Sequence, residues 1–308
     1  MHSRNQPVGN ASMNRSRNHR RRGSIRTWAI VVGIALLGGF LWLRGRTPSI
    51  EPTVWPSSST LPAVLDSPLI PAVPDLTPIV FIDVPGGTVR MGSVSSEPGR
   101  DPLGERTVTV TVCRFRISET EITNAQYLSM MGSDEGRSGS DAEMPITGIT
   151  WYQATQFCEL MTVKTGVRHR LATEAEWEYA CRAGSLEMMS VWDGRNSIED
   201  AVTAYHRGDI GKLLRGIKAS CNVDTGEIQR VGEFPPNPFG LYDMHGNCWE
   251  WVSLTDTFSE TPSPLHAPIR GGSAISTNAF ECRSANRAWQ FMDHATESIG
   301  FRVVREED

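Results

Sequence analysis

Residues 1–50 contain no aspartate, no glutamate and no lysine. The first carboxylate is Glu51, and the only charges ahead of it are nine arginines: Arg4, Arg15, Arg17, Arg20, Arg21, Arg22, Arg26, Arg44 and Arg46. The formal net charge of −5 therefore describes no single object. The head carries +9, and the remaining 21 basic residues stand against all 35 acidic ones, a balance of −14. A body of that sign excludes nucleic acid as the main partner, because phosphate binding needs a basic surface. Other absences narrow the class further. No internal repeat is visible. The histidines of the body (His169, His206, His245, His266, His294) show no HxxxH or HExxH spacing, so no metal-binding helix can be read from them. Length and hydrophobic side chains are not scarce. At 308 residues and 39% hydrophobic, the chain is neither wholly disordered, nor collagenous, nor a disulfide mini-protein.

Charge is also missing from Thr27 to Leu43, 17 residues reading TWAIVVGIALLGGFLWL. As a helix this stretch is roughly 25 Å long, at the short end of spanning length. Trp28 and Trp42 mark its ends, where a membrane interface favours indoles. Seven arginines precede it and two follow, so the positive-inside rule places residues 1–26 in the cytoplasm as a basic tail and the body outside it. A cleaved signal peptide is the competing reading, but Arg44-Gly45-Arg46 makes a poor cleavage site. The expectation is a single-pass protein of the inner (cytoplasmic) membrane, anchored by residues 27–43, with an extracytoplasmic, periplasmic C-terminal body. Residues 44–78 hold eight prolines in a Ser/Thr-rich stretch without periodicity, which predicts an extended linker. Its scattered Leu, Ile and Val leave docking onto the body open.

The body, residues 79–308, is long enough to bury a substantial core. Residues 79–91 and 106–117 alternate in polarity and are rich in β-branched residues, so both read as strands, the first broken by a hairpin turn at Pro85-Gly86-Gly87. Two helices carry start signals. Thr150-x-x-Gln153 opens one with Trp151, Ala154, Cys158 and Met161 on its apolar stripe and Gly166 as its stop. Thr173-x-x-Glu176 opens the other, with Trp177, Ala180 and Cys181 on one face and Gly184 as its stop. Beyond residue 185 no long helical pattern is visible. Few helices, several strands and many loops make the fold class α+β.

Four ordered segments carry more than a fold class: RLATEAEWEYACRAG (170–184), FPPNPFGLYDMHGNCWEW (234–251), a stretch opening RGGS and closing CRSANR (270–287), and GFRV (300–303). Together with ETEITNAQY (119–127) and PITGITW (145–151), they make the body resemble the sulfatase-modifying-factor superfamily, that of the formylglycine-generating enzymes, over roughly residues 80–304. The resemblance implies a loop-rich, C-type-lectin-like α+β fold with bound calcium. It also implies a chemistry to test, since formylglycine-generating enzymes oxidise a sulfatase cysteine with oxygen, using copper held by two cysteines. Here the first of those positions is Ser276. The tract is two residues shorter, so the second falls at 279–281, where no cysteine stands. A hydroxyl is no ligand for Cu(I), so copper is not expected. The catalytic candidates that remain, Ser273, Ser276 and Trp249, are weak. The superfamily's iron enzymes take their histidines from a separate helical domain, and iron is left open.

The resemblance places calcium on the Asp243 carboxylate, the Gly246 and Cys248 carbonyls and Glu250, oxygen ligands that suit a hard cation. The plain alternative is an Asp243 that caps its own turn. A weaker second calcium group would begin at Asn222 and the Val223 carbonyl, with Asp224 as a substitute ligand. Arg270, Arg283, Arg287 and Arg302 fall at family positions, expected in structural ion pairs or along the cleft. A Cys181–Cys282 disulfide is implied, against two separate buried thiols, with Cys113, Cys158, Cys221 and Cys248 left unassigned. Two functions stay open: a non-catalytic module binding an envelope protein, peptide or glycan, or an oxidoreductase with divergent metal-dependent chemistry.

Overall fold

The computed structural model describes residues 76–133, 141–186, 188–189, 203, 206–254 and 263–306. The basic tail, the expected anchor and all but the end of the linker lie outside the described residues, among which no helix is long and apolar enough to cross a membrane. In chain order the first elements are β1 (Phe81–Val84), β2 (Gly87–Met91), β3 (Val108–Val112), β4 (Phe115–Ser118), α1 (Asn124–Met131) and α2 (Trp151–Thr165). Then come β5 (His169–Leu171), α3 (Glu174–Arg182), α4 (Ile210–Ser220), β6 (Trp249–Trp251) and β7 (His266–Arg270). A short 3-10 turn (Ala279–Cys282) leads to β8 (Arg287–Phe291), β9 (Ile299–Phe301) and β10 (Val303–Arg305). The fold is mixed α/β with few helices.

Three helices begin with the same device. Thr123, Thr150 and Thr173 each hold an extended backbone, accept the amide of the residue three on, and receive the side chain of Gln126, Gln153 or Glu176 on their own amide. Each box satisfies two of the donors that a helix start leaves free. The boxes at Thr150 and Thr173 were readable from sequence; the one at Thr123 opens a helix that was not. Gly132 and Gly166 close α1 and α2 in the left-handed conformation. Ala183, with φ of 46°, closes α3 one residue before the glycine that sequence suggests. Helix α4 corrects the expectation that no helix follows residue 185. Gly211 and Gly216 lower its propensity, and what holds it is burial of Leu213 and Ile217 against Ala279 and Cys282.

The strands form sheets β1-β4-β10-β5, β2-β3 and β8-β7-β6-β9, antiparallel except for the parallel pair β6–β9. The expected hairpin at Pro85-Gly86-Gly87 is overturned: β1 pairs with β4, and β2 with β3. The chain changes sheets at Gly86 and returns at Cys113–Arg114, and the two corners lie against each other. A Cβ on Gly86 would sit 2.9 Å from the Arg114 amide nitrogen, so only glycine allows the crossing.

One core joins α1 and α2 to β6, β7 and β9, and a second joins α3 to β2, β3 and β4. The end of the linker belongs to the fold. Leu76 and Ile79 pack on the first core, the Thr77 amide donates to Ser129 Oγ at 3.3 Å, and Gln126 Nε2 donates to the Pro78 carbonyl at 2.9 Å.

Candidate functional site

Strand β6 and the turn before it (residues 243–248) bring the family motifs together. Glu250, fully buried, accepts from Arg302 at 2.8 Å and 2.7 Å and from Trp177 Nε1 at 2.7 Å. Both oxygens are thereby engaged, and the charge of the expected calcium ligand Glu250 is balanced by the guanidinium. Asp243, at φ of 57°, accepts the Gly232 amide at 2.6 Å. Gly246 tucks under Asn222, where a Cβ would lie 2.3 Å from the Asn222 carbonyl oxygen, and its amide donates to the Gly271 carbonyl at 2.8 Å. The turn is thus seated on the RGGS corner.

A third carboxylate stands beside Asp243. Glu121 is fully buried; its Oε1 accepts from Asn247 Nδ2 at 3.1 Å and from the Cys248 thiol at 3.6 Å, while Oε2 has no partner. Burial, with the Asp243 charge next to it, pushes the Glu121 carboxyl well above the usual range. Burial also raises Asp243. Sequence reasoning missed Glu121, although it lies in the quoted ETEITNAQY segment, two residues before a capping threonine.

The expected second calcium group is held in a hydrogen-bond network of the fold. The Asn222 side chain accepts from Thr225 Oγ1 at 2.5 Å and donates to Asn247 Oδ1 at 3.0 Å and to the Glu227 carbonyl at 3.1 Å, while its carbonyl accepts the Asn247 amide at 2.8 Å. Val223 is fully buried, and Asp224 pairs with Lys218. Among the described residues, no group of three or more His, Cys, Asp or Glu side chains is arranged to hold a metal ion.

The catalytic candidates hold a turn. Ser273 is fully buried and its Oγ accepts the Ile275 amide at 3.2 Å; Ser276 Oγ accepts the Ser273 amide at 3.3 Å. Among the described residues neither hydroxyl meets a histidine or carboxylate that would take its proton, which nucleophilic catalysis needs. Trp249 is nine-tenths buried in the first core. Arg270, Arg283 and Arg302 are also buried, and Arg287 is half-buried. Arg270 pairs with Glu178 and lies over the Trp177 ring at 5.3 Å. Arg283 binds Glu97 at 2.6 Å, Glu105 at 2.5 Å and the Gly99 carbonyl at 2.7 Å. Arg287 binds Glu174 at 2.7 Å, and Arg302 binds Glu250. Each guanidinium is spent on a carboxylate inside the fold.

All six cysteines are thiols in this structure. The expected Cys181–Cys282 bond is not formed, because the two side chains turn to different neighbours. Cys181 Sγ meets the Met244 carbonyl at 3.6 Å and His245 Nε2 at 3.5 Å. Cys282 packs with Cys221 in a third apolar cluster. Burial pushes the Cys181 thiol up to about 12 and the Cys248 and Cys282 thiols well above their ordinary value, so none is a ready thiolate. Away from the RGGS corner, a groove of about 840 Å³ runs between α2 and β5, lined in part by Trp151, Cys158, Val163, Arg168, Leu171 and Leu254.

The family model of the Sulfatase-modifying factor enzyme 1-like domain matches residues 68–307. The chain is 28% identical over 207 residues to the chaperone protein LppX of Paenibacillus barcinonensis, covering 54% of this chain and 72% of that protein. It is 30% identical over 177 residues to the formylglycine-generating enzyme of Bos taurus, covering 52% of this chain but only 43% of that enzyme. The structure of PvdO from Pseudomonas aeruginosa superposes with a TM-score of 0.60 at 26% identity, covering 74% of this chain and 94% of the other. The chain belongs to the family of the Sulfatase-modifying factor enzyme 1-like domain.

Proposed function

We propose that the body is a non-catalytic binding or scaffold module, held on the extracytoplasmic side of the membrane by residues 27–43, which takes an envelope protein, peptide or glycan as its partner. The observation that carries this reading is the RGGS corner. Where the copper-binding enzymes present a thiol, Ser276 spends its hydroxyl on the Ser273 amide, and the following Ala279–Cys282 turn offers only a buried, protonated Cys282. The likeness to LppX, whose name is that of a chaperone, supports the same reading. The groove beside α2 supplies an apolar surface, with Val163 81% and Leu254 45% exposed on it. Affinity capture with the tagged full chain from detergent-solubilised membranes tests this. One stoichiometric envelope partner, lost on Val163→Glu while the fold is kept, is the expected result. Capture unaffected by that change, together with oxygen consumption by the purified chain, favours the oxidoreductase reading instead.

Calcium belongs to this reading, with the ligand set revised. Asp243, Glu121 and the Gly246 and Cys248 carbonyls would hold the ion, in place of Glu250. The support is the orphaned Glu121 Oε2 beside Asp243, two buried carboxyl groups left over once Glu250 is paired with Arg302. Calcium added to chelator-treated protein is expected to raise its Tm by several degrees, and Asp243→Asn to abolish the rise. An unchanged Tm contradicts the site.

A further inference from the structure

Cys221 directly follows helix α4, where its thiol reaches back to the Ile217 carbonyl at 3.3 Å. Cys282 ends the 3-10 turn that packs on that helix. Both side chains lie in one apolar cluster with Leu213, Ile217, Val223 and Ala279, at 3% and 0% exposure. Cys181 belongs to a different apolar cluster, and its thiol meets His245 and the Met244 carbonyl. Cys113 is exposed on the sheet-crossing corner, Cys158 lines the groove, and Cys248 faces Glu121. Cys221 and Cys282 are therefore the two thiols that share one apolar cluster, where the end of α4 packs on the 3-10 turn.

We propose that Cys221 and Cys282 are an oxidation site that closes into a disulfide when the body meets a disulfide-bearing oxidant. Because both thiols are buried, the reaction begins when α4 opens away from the 3-10 turn; the Cys221 thiol then loses its proton and attacks the oxidant's disulfide, releasing one oxidant thiol. The Cys282 thiol, losing its own proton, then attacks the mixed disulfide and releases the second. Two protein thiols become one disulfide, and the oxidant's disulfide becomes two thiols. The crosslink encloses about 60 residues. Within them lie the Asn222–Gly232 loop, the Asp243–Cys248 turn and the RGGS corner, so closure pins to one another the segments that carry the family motifs. It also fastens α4, the helix whose sequence has the weakest local reasons to form.

The test uses the purified full chain in detergent, equilibrated with oxidised and reduced glutathione, then alkylated, digested without reduction and mapped by mass spectrometry. A Cys221–Cys282 linked peptide is expected, and it persists in Cys181→Ala. Reduction with dithiothreitol then lowers Tm by roughly 5–15 °C, and Cys221→Ala removes both the linked peptide and that sensitivity. Alkylation of Cys221 and Cys282 as free thiols overturns the proposal. So does a Cys181–Cys282 peptide, which Cys181→Ala would abolish.

Discussion

Arg302 pairs with Glu250 beside Glu121 and Asp243, and all four side chains are buried. Charges taken out of water are tolerated only when paired, and removing one partner leaves the other exposed to the low-dielectric interior. Arg302→Met is therefore expected to destabilise the body by about 3–5 kcal/mol in urea denaturation; a loss under about 1 kcal/mol would contradict the pairing. His245 makes a prediction about pH. Burial depresses its pKa to about 4, while its Nδ1 donates to the Cys282 carbonyl at 2.7 Å. In the unfolded chain the imidazole titrates near 6.5. Between those values the unfolded state binds the extra proton, so the stability His245 contributes is complete above about pH 6.5 and is lost as pH falls toward 4, by about 3 kcal/mol. In His245→Gln that part of the pH slope is expected to vanish from denaturant titrations run across the window. An unchanged slope would mean that the imidazole is not buried neutral.

At the scale of elements, the capping boxes carry the local information. Thr150→Ala removes the acceptor of the Gln153 amide and the partner of its side chain, which is expected to cost about 1 kcal/mol with little change in helix content by circular dichroism. The same boxes explain which elements were legible. Helices α2 and α3 announce themselves within a few residues, through a threonine, a Gln or Glu three on, and an apolar stripe. Strand pairing does not, because it is set by contacts far away in sequence: β1 and β2 alternate in polarity as one segment, yet they serve different sheets. Helix α4 hid behind two glycines and is held by a turn some 60 residues away. The site divides in the same way. Motif segments supplied Asp243, Glu250, Arg270 and Arg302 and also contain Glu121, Trp177 and Glu178, but which of these side chains meet became visible only with the fold. For that reason the sequence marks Glu250 only as a metal ligand and does not foreshadow its pairing with Arg302.

For the whole molecule, the division between a +9 head and a −14 body is the basis of the proposed topology. A periplasm-dependent reporter joined after Asp308 is expected to be active, and activity only from a cytoplasm-dependent reporter would reverse the orientation. The family model matches residues 68–307, and the proposed head and anchor lie before it. Within it, buried ion pairs take up the family arginines and a turn takes up Ser273 and Ser276. The central claim is that this scaffold has kept the fold without copper chemistry. Titration of the reduced full chain with Cu(I) against a competing chromogenic chelator tests it most directly. The account predicts that the chelator keeps the metal and that Ser276→Ala changes nothing. Stoichiometric transfer of copper to the protein, accompanied by oxygen consumption, would contradict it.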